Sequence, residues 1–590
     1  ADPPHGRRAW RGIERMVADC APATVLTTST LRQRWATQMD ALGAQTSVVV
    51  LDELDRPPGV AAAPSGSSLA FLQYTSGSTS RPKGVMVTHD NVIANVRMIQ
   101  EAFELDGDTR TVSWLPLFHD MGLIGFVLVP IYLGCTSTIL SPAAFLEQPV
   151  RWLRTISRYR GTISSAPNFA YELCAEKVPP EDESSLDLSS WECALNGSEP
   201  VSARTLSRFR ERFSARGFRP TAFRPCYGMA ETTLLASAIT PGASVRLLTP
   251  AARDATLTDA SFAVETRDVV GCGHARRGGE IRIVEPTTRT LCEDGQVGEV
   301  WLRGDHVAAG YWHRDEETAE TFGATLAEAP DGPGFLRTGD LGCVDAGELF
   351  LMGRIKELVI IRGRNLLPRD VEEAVGECHH ALRPGHVVAV GLRGETTERL
   401  GIVAEIDRAS WRTFDAADLI RAISDVVSGQ FGVAVDEVAL LRPGSLPKTT
   451  SGKLQRVECR RRLEGTADET SWSVLHHWRR PTTQATAAST TPALDESLSE
   501  EELTDRLLDW LRARLARAIG CSPDDIADEE PFSSFGLDSA VAVTLTSELS
   551  EWLGLELDPT VFWEHTHPLA LSEHLAARLV ERAGALAVDR

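Results

Sequence analysis

Lysine is the scarce residue of this 590-residue chain: only Lys83, Lys177, Lys356, Lys448 and Lys453 are present among 60 basic residues, and the rest are Arg. Where Arg fills the ordinary cationic roles, a retained Lys marks a place that needs a compact ammonium rather than a planar guanidinium. Basic charge is itself short, 60 Lys+Arg against 82 Asp+Glu for a net charge of −22. That balance argues against nucleic acid or an anionic membrane held through bulk charge. The eleven cysteines form no CxxC pair and no CxxC…HxxxH spacing, which excludes a structural zinc site or disulfide framework of recognisable spacing and leaves reduced thiols. The longest apolar run, Gly122 to Cys135, is shorter than the roughly 20 residues that span a bilayer, and Ala1-Asp2-Pro3-Pro4-His5 begins no secretory apolar stretch. A cytoplasmic protein with no membrane span is the expectation.

The length corresponds to about four domains of ~150 residues. Residues 1–352 mix short β-branched or apolar runs (47–51, 68–73, 298–302) with helical stretches and Gly/Pro turns, an α/β pattern. Residues 353–466 read as a small α+β unit: a strand-like run over 355–363, a helix from 368, strands at 387–392 and 401–406, and a helix over 416–427. Residues 467–494 form a linker, because the stretch Pro481 to Pro492 (PTTQATAASTTP) has neither charge nor a large apolar side chain to bury. In 495–582, Leu503, Leu507, Leu511 and Leu515, then Leu545, Leu549 and Leu553, then Leu571, Leu575 and Leu579 recur every four residues, predicting the amphipathic helices of a four-helix bundle. This tail is strongly acidic, with 21 acidic against 7 basic residues from Asp495 to Arg590.

The sharpest local signal is Tyr74-Thr75-Ser76-Gly77-Ser78-Thr79-Ser80-Arg81-Pro82-Lys83-Gly84, hydroxyls and glycines after a strand, closed by Lys. Small residues let backbone N–H groups converge on an oxyanion, hydroxyls add donors, and the ammonium adds charge, so the loop suits a phosphate. It lacks the Walker A spacing. Asn196-Gly197-Ser198-Glu199-Pro200, Tyr227-Gly228-Met229-Ala230-Glu231-Thr232, Arg337-Thr338-Gly339-Asp340, Gly353-Arg354-Ile355-Lys356-Glu357 and Pro447-Lys448-Thr449-Thr450-Ser451-Gly452-Lys453 follow over about 400 residues. In this order the set resembles the adenylate-forming, AMP-binding superfamily.

The resemblance implies a large α/β domain and a small mobile domain that together activate a carboxylate with ATP and Mg2+. Attack on the α-phosphate brings two anions together, so positive charge is needed in the transition state, and Lys453 is the residue expected to supply it. Thr75, Ser76, Gly77, Ser78, Thr79 and Lys83 would hold phosphates. Tyr227 would stack on adenine, with Gly197, Ser198, Gly228 and Met229 lining that pocket, while Asp340 and Arg354 would hold the ribose. Glu231, a hard oxygen donor, would ligate Mg2+. Lys356 matches the hinge about which the small domain turns.

Trp114-Leu115-Pro116-Leu117-Phe118-His119-Asp120-Met121-Gly122-Leu123, Ala166-Pro167-Asn168-Phe169-Ala170-Tyr171-Glu172-Leu173-Cys174 and Ile360-Ile361-Arg362-Gly363-Arg364-Asn365 look like the fatty acyl-AMP ligases within that superfamily. The stretch from Pro241 to Val270 falls where that subfamily carries an insertion that discourages CoA thioester formation. His119 and Asn168 are expected at the acyl pocket. The apolar run after Gly122 fits either an alkyl tunnel wall or a buried core helix.

Phe535-Gly536-Leu537-Asp538-Ser539, before a helix of the acidic bundle, resembles acyl carrier proteins. No base or oxyanion loop accompanies Ser539, so it reads as the attachment point of 4′-phosphopantetheine, placed there by a phosphopantetheinyl transferase. The combined expectation is a ligase that loads a fatty acid onto its own carrier for a downstream polyketide or nonribosomal peptide synthase. An acyl-CoA synthetase with a fused carrier shares every ATP motif, and a non-catalytic carrier and docking scaffold is the reading from another class. Two departures accompany the resemblance. Position 80 is Ser where the superfamily often has Gly, and the resemblance implies that roughly the first hundred residues of the superfamily's large domain are missing before Ala1, which would leave the sheet an open edge.

Overall fold

The computed structural model describes residues 7–43, 46–54, 64–75, 83–248, 268–361, 364–394, 398–448, 454–465, 472–480, 499–519, 523, 526–529, 531–532, 539–555, 557–558 and 561–588. The chain divides into two compact units, and the main break falls between Lys356 and Glu357.

In the first unit, short runs of small and β-branched residues build a seven-stranded sheet. Its order is His274–Ala275, Ser237–Ala238, Phe223–Tyr227, Cys193–Asn196, Ile163–Ala166, Arg110–Ser113 and Thr136–Ile139. The last five are mutually parallel and the first two antiparallel. Parallel strands are buried on both faces, and Ile163–Ala166 and Cys193–Asn196 are buried at every position. Helices between the strands cover the sheet with an aromatic core. Trp152, Tyr171, Trp191, Phe209 and Phe218 meet at ring separations of 5.0 to 5.4 Å, mostly edge to face. Their polar tips are satisfied, Trp152 Nε1 donating to Ser164 Oγ (2.8 Å) and the Tyr171 hydroxyl to the Leu195 carbonyl (2.8 Å).

Beside this sheet lies the antiparallel pair Leu69–Thr75 and Lys83–Thr88, which sets Thr75 directly opposite Lys83. A four-stranded antiparallel sheet follows in the order Glu280–Val284, Gly298–Arg303, Leu336–Asp345 and Glu348–Arg354. Toward the amino end, Thr24–Thr27 and Ser47–Val50 pair in parallel, with Leu26 63% exposed. The apolar run after Gly122 is helical throughout: Asp120–Leu123, a π-helical segment Ile124–Leu128, and Val129–Leu133, closed by Gly134 at φ +69°. Ile124, Phe126 and Val129 are buried while Ile131 is 72% exposed, so one face of the run is core.

The second unit contains a sheet ordered Leu382–Leu392, Arg399–Ile406, Val435–Leu441 and Val474–Arg479. The helices Pro368–Cys378 and Ala416–Phe431 bury Val371, Val375, Leu419, Ile423 and Val427 in the same core as that sheet. The expected single strand over 355–363 is instead a 3-10 turn, Ile355–Glu357, followed by Val359–Ile361, which pairs with Arg364–Leu366. Residues 362–363 of the expected strand lie outside the described residues.

The acidic tail forms the helices Glu500–Ile519, Ser539–Leu553, Val561–Glu564 and Pro568–Val588. All ten leucines of the four-residue pattern are buried in one cluster, and Trp510 stacks on Trp552 at 5.3 Å. Among the described residues no helix is long and apolar enough to cross a membrane.

Candidate active site

Four neighbouring parallel strands end at Ser113, Ala166, Asn196 and Tyr227. The sequence motifs continue from those ends, at Trp114, Pro167-Asn168, Gly197-Ser198 and Gly228-Met229. Carboxyl ends of parallel strands are where open α/β sheets bind ligands. Two glycines permit the close approach of these ends. A Cβ on Gly228 would lie 1.7 Å from the Leu234 carbonyl oxygen, and one on Gly197 would lie 2.9 Å from that of Cys226. Ser198 is left-handed at φ +71°, a conformation that side chains resist.

Tyr227, Asp340 and Arg354 come together. The Tyr227 hydroxyl donates to Asp340 Oδ2 (2.6 Å), and Asp340 Oδ1 pairs with Arg354 Nε (2.9 Å). The antiparallel register places Asp340 directly opposite Arg354, the geometry in which cross-strand pairs meet. Burial, with the neighbouring Asp340 carboxylate, pushes the Tyr227 phenol well above its ordinary range. The turn before Asp340 is braced by Glu299. Its carboxylate accepts from Arg337 Nε (3.0 Å) and Nη2 (2.8 Å), Trp301 Nε1 (3.0 Å) and the Gly339 amide (3.1 Å).

Glu231 is 7% exposed, in the 3-10 turn Ala230–Thr232. Its Oε1 accepts from the Tyr311 hydroxyl at 2.8 Å. Burial raises its carboxyl above the usual range, and the Tyr311 hydrogen bond opposes that rise. Lys83 Nζ lies 4.9 Å from the Tyr311 ring centroid and 2.5 Å from Glu317 Oε2, so Lys83, Tyr311 and Glu231 form one continuous contact. No group of three or more His, Cys, Asp or Glu suited to a metal occurs among the described residues. A hard carboxylate that takes its remaining partners from phosphates and water matches the habit of Mg2+, and Glu231 fits that part.

His119 precedes the helix that starts at Asp120, its Nδ1 facing both the Met121 amide (3.4 Å) and the Asp120 carboxylate, of which it can accept from the first or, protonated, donate to the second. Asn168 opens the helix Asn168–Lys177, and its amide engages Thr205, Asn196 and Ser202. Met229 donates its amide to Thr232 Oγ1 (3.1 Å). Lys356 is exposed, in the turn where the first unit ends. Ser539 is the first residue of the helix Ser539–Leu553. The backbone of Thr75 ends a strand, whereas Ser76, Gly77, Ser78, Thr79 and Lys453 lie outside the described residues, as does Phe535 to Asp538. Of the segment from Pro241 to Val270, residues 249–267 also lie outside, and its ends pair as Leu247–Leu248 with Val269–Val270. Sequence patterns did not single out Tyr311, Glu299 or Glu317, because each acts on a partner at least 38 residues away in a motif it does not belong to.

Residues 9–312 match the family described as AMP-binding enzyme, and residues 509–575 match the phosphopantetheine attachment site. The medium-chain fatty acid acyl-carrier-protein ligase JamA of Moorena producens is 46% identical over 409 residues, 68% of this chain and 69% of that protein. The long-chain fatty acid AMP ligase FadD26 of Mycobacterium marinum is 39% identical, over 76% of this chain and 79% of that protein. The crystal structure of the fatty acid AMP ligase from Legionella pneumophila aligns with a TM-score of 0.57 at 35% identity, covering 81% of this chain and 82% of that one.

Proposed function

The chain belongs to the AMP-binding enzyme family and, within it, to the fatty acyl-AMP ligases, and on that premise we propose that it loads a fatty acid onto its own carrier domain. A fatty carboxylate oxygen attacks the α-phosphorus of ATP, the bond to the β-phosphate oxygen breaks, and acyl-AMP forms with release of pyrophosphate. Lys83 and the hydroxyl-rich residues Thr75, Ser76, Gly77, Ser78 and Thr79 hold the triphosphate. Tyr227, Gly197, Ser198, Gly228 and Met229 enclose the adenine, and Asp340 with Arg354 takes the ribose. Lys453 supplies the charge that offsets two approaching anions. Glu231 holds Mg2+, which neutralises phosphate charge when bound. Ser539, at a helix N-terminus suited to a phosphodiester, carries 4′-phosphopantetheine, whose thiol is the acceptor of the acyl group with AMP as leaving group. Residues 1–352 and 353–466 serve as the two ligase domains, hinged near Lys356, and 467–494 tethers the carrier at 495–582. A polyketide or nonribosomal peptide synthase is the class of enzyme that takes the product.

The observation that carries this reading is the contact of Tyr227, Asp340 and Arg354 beneath the strand ends of a chain that also holds a phosphopantetheine attachment domain. The test is intact-mass analysis of the pantetheinylated protein after incubation with ATP, Mg2+ and mixed fatty acids, with and without free CoA. One acyl group added per protein is the expected result, absent in Ser539→Ala. Acyl-CoA as the main product would reassign the acceptor. Lys453→Ala should abolish pyrophosphate release, and undiminished release would remove its role.

A further inference from the structure

The loop Asn196-Gly197-Ser198-Glu199 is gripped on both sides of its strained residue by a single helix turn. Before Ser198, the Asn196 side chain donates to Asn168 Oδ1 (3.4 Å). After it, the Ser202 amide donates to the same Oδ1 (3.0 Å), and the amide of Phe169 donates to Glu199 Oε1 (2.6 Å). Asn168 Nδ2 donates to Thr205 Oγ1 (3.3 Å), which in turn donates to Glu172 Oε2 (2.8 Å), one turn further along the same helix. Asn196 is completely buried, so its register against Asn168 cannot drift without opening the core.

We propose that Asn168 is a positioning residue for the nucleotide: its side-chain amide holds the backbone of Ser198, after Gly197, in the left-handed conformation that receives adenine. The inference rests on that loop being the adenine wall, and it gives Asn168 a task other than lining the acyl pocket. A left-handed serine persists only where the surroundings over-determine it. The hydrogen bonds from Asn196 and Ser202 to one amide oxygen supply that constraint from each side. Phe169, the next residue of the turn, meets Trp114 edge-on at 6.1 Å, so one helix end serves both the nucleotide loop and the aromatic cluster.

The test uses the full chain and reads AMP affinity by calorimetry, together with KM for ATP and for decanoic acid from pyrophosphate release. Asn168→Ala should weaken AMP binding and raise KM for ATP about tenfold, the size expected from losing a buried side-chain hydrogen-bond pair. KM for decanoic acid should stay within about twofold. Adding Ser198→Gly to Asn168→Ala should recover part of the lost AMP affinity, because glycine takes positive φ without strain. A merely structural role for Asn168 would produce no such rescue. Asn168→Ser, with the same expected pattern, carries the test if the alanine variant folds poorly. Unchanged AMP affinity in Asn168→Ala, a rise confined to KM for decanoic acid, or failure of the Ser198→Gly rescue would overturn the proposal. Gly197→Ala separates the two readings. If it leaves AMP affinity intact, the loop is not the adenine wall. If it weakens AMP binding while Asn168→Ala does not, only the positioning role fails.

Discussion

A tyrosine hydroxyl on a buried carboxylate is a directional constraint, and Tyr311 places one on Glu231 while backing the Lys83 ammonium with its ring. Hydrogen bonds to charged groups contribute about 1.5–3 kcal/mol. Tyr311→Phe should therefore raise KM for ATP at limiting Mg2+ by about tenfold or more in pyrophosphate-release assays, with KM for the fatty acid little changed. His306 offers a separate prediction on stability. It is 2% exposed, and burial pushes its imidazole down to about 4 from 6.5, against a weaker upward pull from Asp305. Because the unfolded chain takes up the proton at higher pH than the folded one, this contribution is complete above about pH 6.5. It is lost as pH falls toward 4, by up to ~3 kcal/mol. Urea midpoints measured across that window should drop with acid in the native chain and drop less in His306→Gln.

At the scale of elements, the small ligase domain is tied together by a half-buried ion group rather than by apolar packing alone. Arg456, at the start of the helix Arg456–Leu463, meets Glu372 through two bonds of 2.7 Å and Glu357 at 3.1 Å. Glu372 also accepts from the Ala389 amide (3.1 Å), so the group joins two helices, a strand and Glu357. Removing one partner strands a buried charge, a loss of about 3–5 kcal/mol. Arg456→Met is expected to lower the unfolding free energy by that amount, whereas Arg461→Met, on a half-exposed side chain of the same helix, should change it by less than about 1 kcal/mol. Comparing the two variants in one urea series checks both.

For the whole molecule, a ligase and a carrier in one chain predict that acyl transfer is an intramolecular event. Tethering sets an effective concentration on the order of mM, so the carrier needs no strong docking surface. Acylation of the pantetheinylated chain should then be first order, with a rate constant unchanged when protein is diluted about a hundredfold. Mixing a Ser539→Ala chain with a pantetheinylated Lys453→Ala chain should give acylation that slows in proportion to dilution. Intact-mass time courses at several concentrations decide between these behaviours, and a dilution-sensitive rate in the native chain would mean transfer between molecules.

What the sequence alone settles is what is local. Leucines at four-residue spacing predict helices that the fold buries, and β-branched or apolar runs locate the strands Ser47–Val50, Leu69–Thr75, Gly298–Arg303, Leu382–Leu392 and Arg399–Ile406 but none of the seven-stranded sheet. Ordered motifs identify the fatty acyl-AMP ligase resemblance, and four of the five lysines fall in glycine-containing motifs. The 3-10 turn Ile355–Glu357 was hidden, because its isoleucine continues the apolar pattern of the strand Val359–Ile361 that follows. Tertiary structure alone decides which distant residues meet. Tyr227 reaches Asp340 across 113 positions, Tyr311 reaches Glu231 across 80, and Asn168 reaches Ser202 across 34. The physical reason is that such contacts depend on strand order and register, which the packing of the entire sheet determines and no short window of residues encodes.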